Sequence, residues 1–110
     1  MNFNEINIGT TAELTHKLTG EDIKRFVELT GDDNKLHTDT QYSSKTSFKK
    51  PVAHGMLGAS FISTVIGTKL PGDGALWFSQ SLEFLLPVRV DDVLTIIAEV
   101  ISKDERTEII

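Results

Sequence analysis

The sequence has no cysteine and only 3 prolines among its 110 residues. Without cysteine, the chain can form no disulfide and offers no thiolate as a nucleophile or metal ligand. An excess of positive charge is also missing: the formal net charge is -5, which argues against a general affinity for nucleic acids or anionic membranes. Residues 1–5 lack the basic and then apolar pattern of a secretory signal, so we expect a cytoplasmic protein.

A long stretch without charged residues runs from Pro51 to Thr68. Its apolar and small residues occupy every side of a helical projection, which is typical of a helix buried on most sides. The stretch is too short and too rich in Gly, Ser and Thr for a membrane span, which needs about 20 mainly apolar residues. Pro51 suits a first helical turn and Gly67 suits a helix end. We therefore predict a central helix over 51–67.

Shorter elements are predicted on both sides of this helix. Thr19 and Asp22 resemble a capping box, and Gly31 is typical of the residue that closes a helix. Alternating apolar residues indicate strands. The predicted order is a strand over 10–18, a helix over 20–30, a polar loop over 32–39, a helical turn within 40–47, the central helix, and strands over 76–86, 94–100 and from 107 onward. This order indicates a single α+β domain over residues 1–110, with the helix and an antiparallel sheet sharing one core.

Two side chains of the polar loop can carry acid–base chemistry. Asp32 and His37 lie five residues apart, and in a turn-rich loop both can point into one cleft. A carboxylate and an imidazole together can bind a water molecule, remove one proton and deliver another. The spacing leaves open the alternative that Asp32 caps a turn and His37 is a surface residue.

The start of the central helix is a second candidate site. Free backbone amides at a helix N-terminus attract negative charge, and Gly55 has no side chain to keep a ligand oxygen from its amide. This geometry suits a thioester carbonyl that becomes an enolate. Gly55 can equally serve close packing, and His54 is typical of a hydrogen-bonded structural histidine.

Other polar groups are weaker candidates. Ser60 and Ser63 lie on the predicted helix, where serine commonly donates a hydrogen bond to a helical carbonyl. Residues 58–62 depart from the nucleophile motif Gly-x-Ser-x-Gly at the last position. Asp32, His37 and His54 lack a recognised metal-ligand spacing, so we expect no metal site.

Residues 30–39 resemble the hydratase motif T-G-D-x-N-P-x-H-x-D of the MaoC-like, R-specific enoyl-CoA hydratases. The similarity continues in the same order through residues 54–57, 70–74, 79–84 and 87–92, and so covers nearly the whole chain. Lys35 stands where that family usually has proline.

This resemblance implies a hot-dog fold, in which an antiparallel sheet wraps around a long helix. It implies a homodimer or a dimer of dimers, with active sites near the subunit interface. Asp32 and His37 would be the catalytic pair, and Gly55 would supply an oxyanion-hole amide. The supporting residues that it implies are Asn34, Ser63 and His54.

The implied function is R-specific hydration of trans-enoyl-CoA to (R)-3-hydroxyacyl-CoA, together with the reverse dehydration. The substrate is an acyl-CoA, and neither a cofactor nor a metal is required. Two alternatives stay open: a hot-dog acyl-CoA thioesterase, and an inactive acyl-CoA-binding domain that only dimerises. Family members continue for one more strand beyond the point that corresponds to Ile110, so we expect a sheet that lacks its last strand.

Overall fold

A computed structural model describes all 110 residues. Two strands and four α-helices make up the regular structure, and a short 3-10 turn over Phe3–Glu5 precedes them. In chain order the elements are β1 (Thr11–Lys17), α1 (Gly20–Thr30), α2 (Lys35–Thr38), α3 (Thr40–Ser44), α4 (Gly55–Thr68) and β2 (Val93–Glu99). None of the helices combines the length and the apolar character that crossing a bilayer requires.

Strands β1 and β2 form a two-stranded sheet. At one end the N–H of Val100 donates to the carbonyl of Thr10 at 2.9 Å, and at the other the N–H of Leu18 donates to that of Asp92 at 2.8 Å. Residue numbers rise on one strand as they fall on the other, so the pairing is antiparallel. Half-buried and exposed side chains alternate on both strands, which confirms the two strands predicted over 10–18 and 94–100.

The chain divides into two compact units. Residues 1–15, 60–81 and 95–110 form the first, and residues 16–59 and 82–94 form the second. The first unit contains an apolar cluster of Ile6, Leu70 and Val100, against which Ala12 and Ala98 pack. The second unit contains α1, α2 and α3, the loops between them and the first turn of α4. The single domain over residues 1–110 stays a prediction.

The start of α4 differs from the sequence prediction. The helix begins at Gly55 rather than at Pro51, because the backbone before Gly55 is engaged elsewhere. The N–H of Val52 donates to the carbonyl of Leu36 at 3.2 Å, and the N–H of Ala53 donates to that of Val88 at 2.7 Å. The carbonyl of Val52 is engaged as well, because His37 Nδ1 lies 2.6 Å from it. In a helix that began at Pro51 this oxygen would instead accept the N–H four residues later in the chain.

The expected burial of the central helix on most sides is also wrong. Leu57 and Val65 are buried, whereas Met56 is 53% exposed. Leu57 and Val65 lie eight residues apart, so they belong to one stripe of the helix. Exposing Gly, Ser or Thr to water costs little free energy, because these residues have little apolar surface. A helix without charged residues therefore need not be buried on every side.

The strand predicted over 76–86 is not formed. The backbone of these residues makes no hydrogen bond with another segment of residues 1–110, and a strand requires such a partner. Its apolar side chains are therefore mostly exposed, among them Leu76 at 93%, Phe78 at 81% and Leu86 at 83%. The strand predicted from residue 107 is reduced to one bridge between Asp104 and Ile109.

Candidate active site

Helix α1 directly precedes the candidate site in the chain, and hydrogen bonds define both ends of this helix. The predicted capping box is present: Thr19 Oγ1 accepts the N–H of Asp22, and the Asp22 carboxylate accepts the N–H of Thr19. Gly31 closes the helix in the left-handed conformation with φ 79, and its N–H donates to the carbonyl of Val27 at 2.8 Å. Asp32 therefore leaves the helix at a defined point.

The carboxylate of Asp22 also joins α1 to the end of β1. His16 Nε2 donates to Asp22 Oδ2 at 2.7 Å. Burial alone would raise the pKa of Asp22, but the N–H of Thr19 and the His16 ring outweigh it, so the pKa lies below its ordinary value. The ionised carboxylate thus stabilises the start of α1.

The predicted polar loop contains the short helix α2. The N–H of Asn34 donates to Asp32 Oδ1 at 3.3 Å, and Asn34 Oδ1 accepts the N–H of Leu36 at 2.9 Å as the cap of α2. Asn34 thereby connects the Asp32 carboxylate to the helix that carries His37. The loop prediction missed α2 because four residues are too few for an apolar period to show.

His37 is half-buried and bound through one ring nitrogen. Its Nδ1 lies 2.6 Å from the carbonyl oxygen of Val52. A carbonyl oxygen only accepts, so Nδ1 carries the hydrogen, and the neutral ring has its lone pair on Nε2. The N–H of Val52 donates to the carbonyl of Leu36, beside His37, so two hydrogen bonds join α2 to the segment before α4.

The side chain of Arg89 binds the residues that precede the same segment. Its guanidinium donates to the carbonyl of Lys50 at 3.0 Å and to that of Phe48 at 2.8 Å. The N–H of Ala53 is bound to the carbonyl of Val88, the residue before Arg89. Hydrogen bonds therefore hold the stretch before α4 at both Lys50 and Ala53, and the Val52 carbonyl that orients His37 lies between these two points.

His54 is buried between the two candidate catalytic residues. It is 3% exposed, and its Nε2 donates to the backbone carbonyl of Asp32 at 2.9 Å. Its ring lies against that of His37 with centroids 3.9 Å apart, and against that of Phe26 at 4.7 Å. Nδ1 of His54 is buried and has no hydrogen-bond partner. With Nε2 donating, this nitrogen has the lone pair of the neutral ring.

These contacts bring three titratable side chains together. One nitrogen or carboxylate oxygen from each of Asp32, His37 and His54 lies within 4.8 Å of the others. Asp32 is exposed and His37 is half-buried, so solvent can reach this pair. Such a pair can hold a water molecule and exchange protons with it. One carboxylate and two imidazoles are also donor types that bind zinc, although the spacing in sequence predicts no metal.

Gly55, next to His54 in the chain, is the first residue of α4. It is exposed, and its N–H donates to no acceptor of the chain, as is normal in a first helical turn. The positive end of the helix dipole strengthens this donor toward an oxygen that carries negative charge. Gly55 thus offers an open amide beside the imidazole cluster.

Of the six residues predicted for the site, the structure brings five into one neighbourhood: Asp32, Asn34, His37, His54 and Gly55. Ser63 is an exposed residue of α4 within the other compact unit, so its supporting role stays a prediction. No side-chain pattern marks the Val52 carbonyl, because every residue type has a backbone carbonyl.

Comparison with known proteins identifies the family. The MaoC like domain matches residues 3–110. The chain belongs to this family. It is 45% identical over 93 residues to an (R)-specific enoyl-CoA hydratase of Rhodospirillum rubrum, covering 84% of this chain and 65% of the relative. It is 36% identical over 110 residues to a 3-hydroxybutyryl-CoA dehydratase of Methylorubrum extorquens, covering 97% of this chain and 70% of the relative.

A solved structure shows the same fold. The (R)-hydratase from A. caviae involved in PHA biosynthesis has a TM-score of 0.87 and is 38% identical, with 91% of this chain and 76% of that chain covered. This similarity confirms the predicted α+β hot-dog fold. The MaoC-like chain described here spans about two thirds of the length of the R. rubrum relative, 65%.

Proposed function

We propose that the chain hydrates trans-enoyl-CoA to (R)-3-hydroxyacyl-CoA and catalyses the reverse dehydration. The observation that carries this proposal is the cluster of Asp32 and His37 beside the free amide of Gly55. It is supported by family membership and by relatives named for this hydration. The proposed enzyme is therefore a hydro-lyase.

Asp32 and His37 hold and activate the water molecule in this proposal. The hydrogen bond to Val52 leaves the lone pair of His37 on Nε2, where it can accept a proton from water. The water oxygen bonds to the β-carbon as the carbon–carbon π bond breaks, and the electron pair moves through the α-carbon toward the thioester oxygen. The pair takes one proton from the water and returns one to the α-carbon on the same face, which adds one water in total. The two residues act together, one on each side of the bound water.

Gly55 stabilises the charge that develops during this step. Its amide donates to the thioester oxygen as that oxygen becomes enolate-like. One preorganised oxyanion donor typically contributes about 2.7 to 4 kcal/mol to transition-state stabilisation. The open first turn of α4 supplies this donor without rearrangement.

The supporting residues position the pair. His54 donates to the backbone carbonyl of Asp32 and packs against the ring of His37, so it can fix the distance between them. Asn34 caps α2 and binds the Asp32 carboxylate through its backbone N–H. Neither residue needs to contact the substrate for this role.

The reaction as proposed uses only water and the thioester, so neither a cofactor nor a metal enters it.

We also propose a homodimer. Leu76 and Phe78 are 93% and 81% exposed, and large apolar surface of this kind is typically covered by a partner. Light scattering of the purified protein tests the dimer, and a monomeric mass would contradict it. The cytoplasmic location stays a prediction.

The decisive experiment is hydration of crotonyl-CoA by the purified chain, followed by chiral analysis of the product. We expect the enoyl absorbance to fall and (R)-3-hydroxybutyryl-CoA to accumulate. Release of free thiol would instead support the thioesterase alternative. Binding without loss of absorbance would support the inactive acyl-CoA-binding domain. Asp32→Asn tests the residue assignment, and Asp33→Asn is the control from the same exposed loop.

A further inference from the structure

The ring of Phe84 lies where a side chain at Gly55 would begin. A Cβ built on Gly55 would be 3.0 Å from Cε1 of Phe84, 3.1 Å from Cδ1 and 3.3 Å from Cζ. The two other glycines of α4, Gly58 and Gly67, have nothing within 4 Å of the corresponding position. The close approach of a side chain is therefore particular to the glycine that opens the helix.

This contact is not part of a buried core. Phe84 is 60% exposed, and Gly55 is exposed as well. An aromatic ring that stays largely in water gains little from packing on a glycine, since most of its apolar area remains exposed. The ring and the free amide are therefore both accessible to solvent and belong to neighbouring positions on the surface.

The position of the ring limits what can reach the amide. A thioester oxygen that accepts the Gly55 N–H brings its carbonyl carbon, α-carbon and sulfur into the same region. The Cβ position of Gly55 is two bonds from the amide nitrogen, so a ring 3.0 Å from that position borders this region. A flat, unbranched enoyl thioester is narrower there than one with a methyl group on the α-carbon.

We infer that Phe84 is a specificity-determining residue, the wall that confines the thioester at the Gly55 amide and disfavours α-branched acyl groups. This inference rests on the proposed hydratase function and adds to it a substrate class, the α-unbranched enoyl thioesters. It also gives a physical reason for glycine at position 55. Any other residue there would bring a Cβ into contact with the ring.

The first test compares crotonyl-CoA with its 2-methyl derivative, tiglyl-CoA. For Phe84→Ala we expect the ratio of kcat/KM for tiglyl-CoA to that for crotonyl-CoA to rise about tenfold or more, because one methyl group in a confined site changes discrimination by about 10- to 200-fold. Phe84→Tyr retains the ring and should keep the original ratio. Leu85→Ala is the matched control, since Leu85 is the next residue and is 84% exposed. An unchanged ratio in Phe84→Ala would overturn the inference.

The second test uses the 3.0 Å contact itself. Gly55→Ala should lower the rate of crotonyl-CoA hydration. Adding Phe84→Ala should raise this lowered rate by about tenfold or more. Gly58→Ala, whose new Cβ meets nothing within 4 Å, is the control for placing alanine in α4. If the double variant hydrated crotonyl-CoA as slowly as Gly55→Ala, the inferred role of Phe84 would be refuted.

Failure of the proposed function is distinguishable from failure of this inference. An unchanged chain that does not hydrate crotonyl-CoA refutes both. An active chain whose Phe84 variants keep their selectivity refutes only the role of Phe84. Circular dichroism of each variant verifies that folding is retained.

Discussion

Replacing His37 by asparagine separates the two tasks that the structure gives this side chain. The amide nitrogen of asparagine lies close to where Nδ1 of histidine lies, so it can still donate to the carbonyl of Val52, now bound at 2.6 Å. No atom of asparagine replaces Nε2, the nitrogen with the lone pair. His37→Asn therefore removes the proposed proton acceptor and retains the hydrogen bond that links α2 to the segment before α4.

The two tasks differ in energy. Acid–base catalysis by a positioned side chain contributes about 10²- to 10⁴-fold in rate. At about 1.36 kcal/mol for each factor of ten, this equals about 2.7 to 5.4 kcal/mol of transition-state stabilisation. A hydrogen bond within the protein contributes about 0.5 to 1.5 kcal/mol to folding. We expect His37→Asn to lower kcat for crotonyl-CoA by about 10² or more and to keep the free energy of unfolding within about 1 kcal/mol of the original.

Hydration rates and urea unfolding, measured on the same preparations, test both expectations. His37→Gln is the informative comparison. Its longer side chain places the amide near Nε2 and away from Val52, so we expect it to lose the hydrogen bond as well as the catalysis. If His37→Asn hydrated crotonyl-CoA within tenfold of the unchanged chain, Nε2 would not be the proton acceptor and the reasoning would fail.

Three further predictions concern neighbouring groups. Asp32→Asn should lower crotonyl-CoA hydration by about 10² or more while Asp33→Asn does not, and equal effects in rate assays would contradict the pair. Gly55→Val should abolish activity while Gly58→Val leaves it measurable; an active Gly55→Val would count against the oxyanion role. The lowered pKa of Asp22 stabilises the fold above its ordinary value of 3.8, and this contribution should disappear as the pH falls through the lower folded-state value. Urea unfolding between about pH 5 and pH 3 should show a smaller decline for Asp22→Asn, and an identical decline would disprove the linkage.

Local signals in the sequence predicted α1 and its end, because each signal depends on residues that are neighbours in the chain. The capping box needs only Thr19 and Asp22, and the helix end needs only Gly31, so both could be read directly. The closeness of Asp32 and His37 follows from the short loop between them. The resemblance in the sequence then assigned chemistry to the pair, which their spacing alone left open.

Contacts between distant segments could not be read in this way. The Val52 carbonyl that sets the tautomer of His37 is a backbone group, and its sequence position has no distinguishing side chain. The contact of Phe84 with Gly55 joins residues far apart in the chain. Residues 76–86 show the opposite error, a predicted strand that is not formed. Their alternating pattern predicts a strand, but it cannot show whether a second strand lies beside them.

The corrected start of α4 strengthens the assignment of Gly55. In a helix that began at Pro51, the N–H of Gly55 would donate to the carbonyl four residues before it and would not be available to a substrate. Val52 and Ala53 lie outside the helix, with their N–H groups bound to Leu36 and Val88, and the first helical turn begins at Gly55. The same non-helical stretch presents the carbonyl that orients His37. One departure from helical structure thus creates both the free amide of Gly55 and the hydrogen bond that orients His37, and a variant that extended the helix toward Pro51 would remove both together.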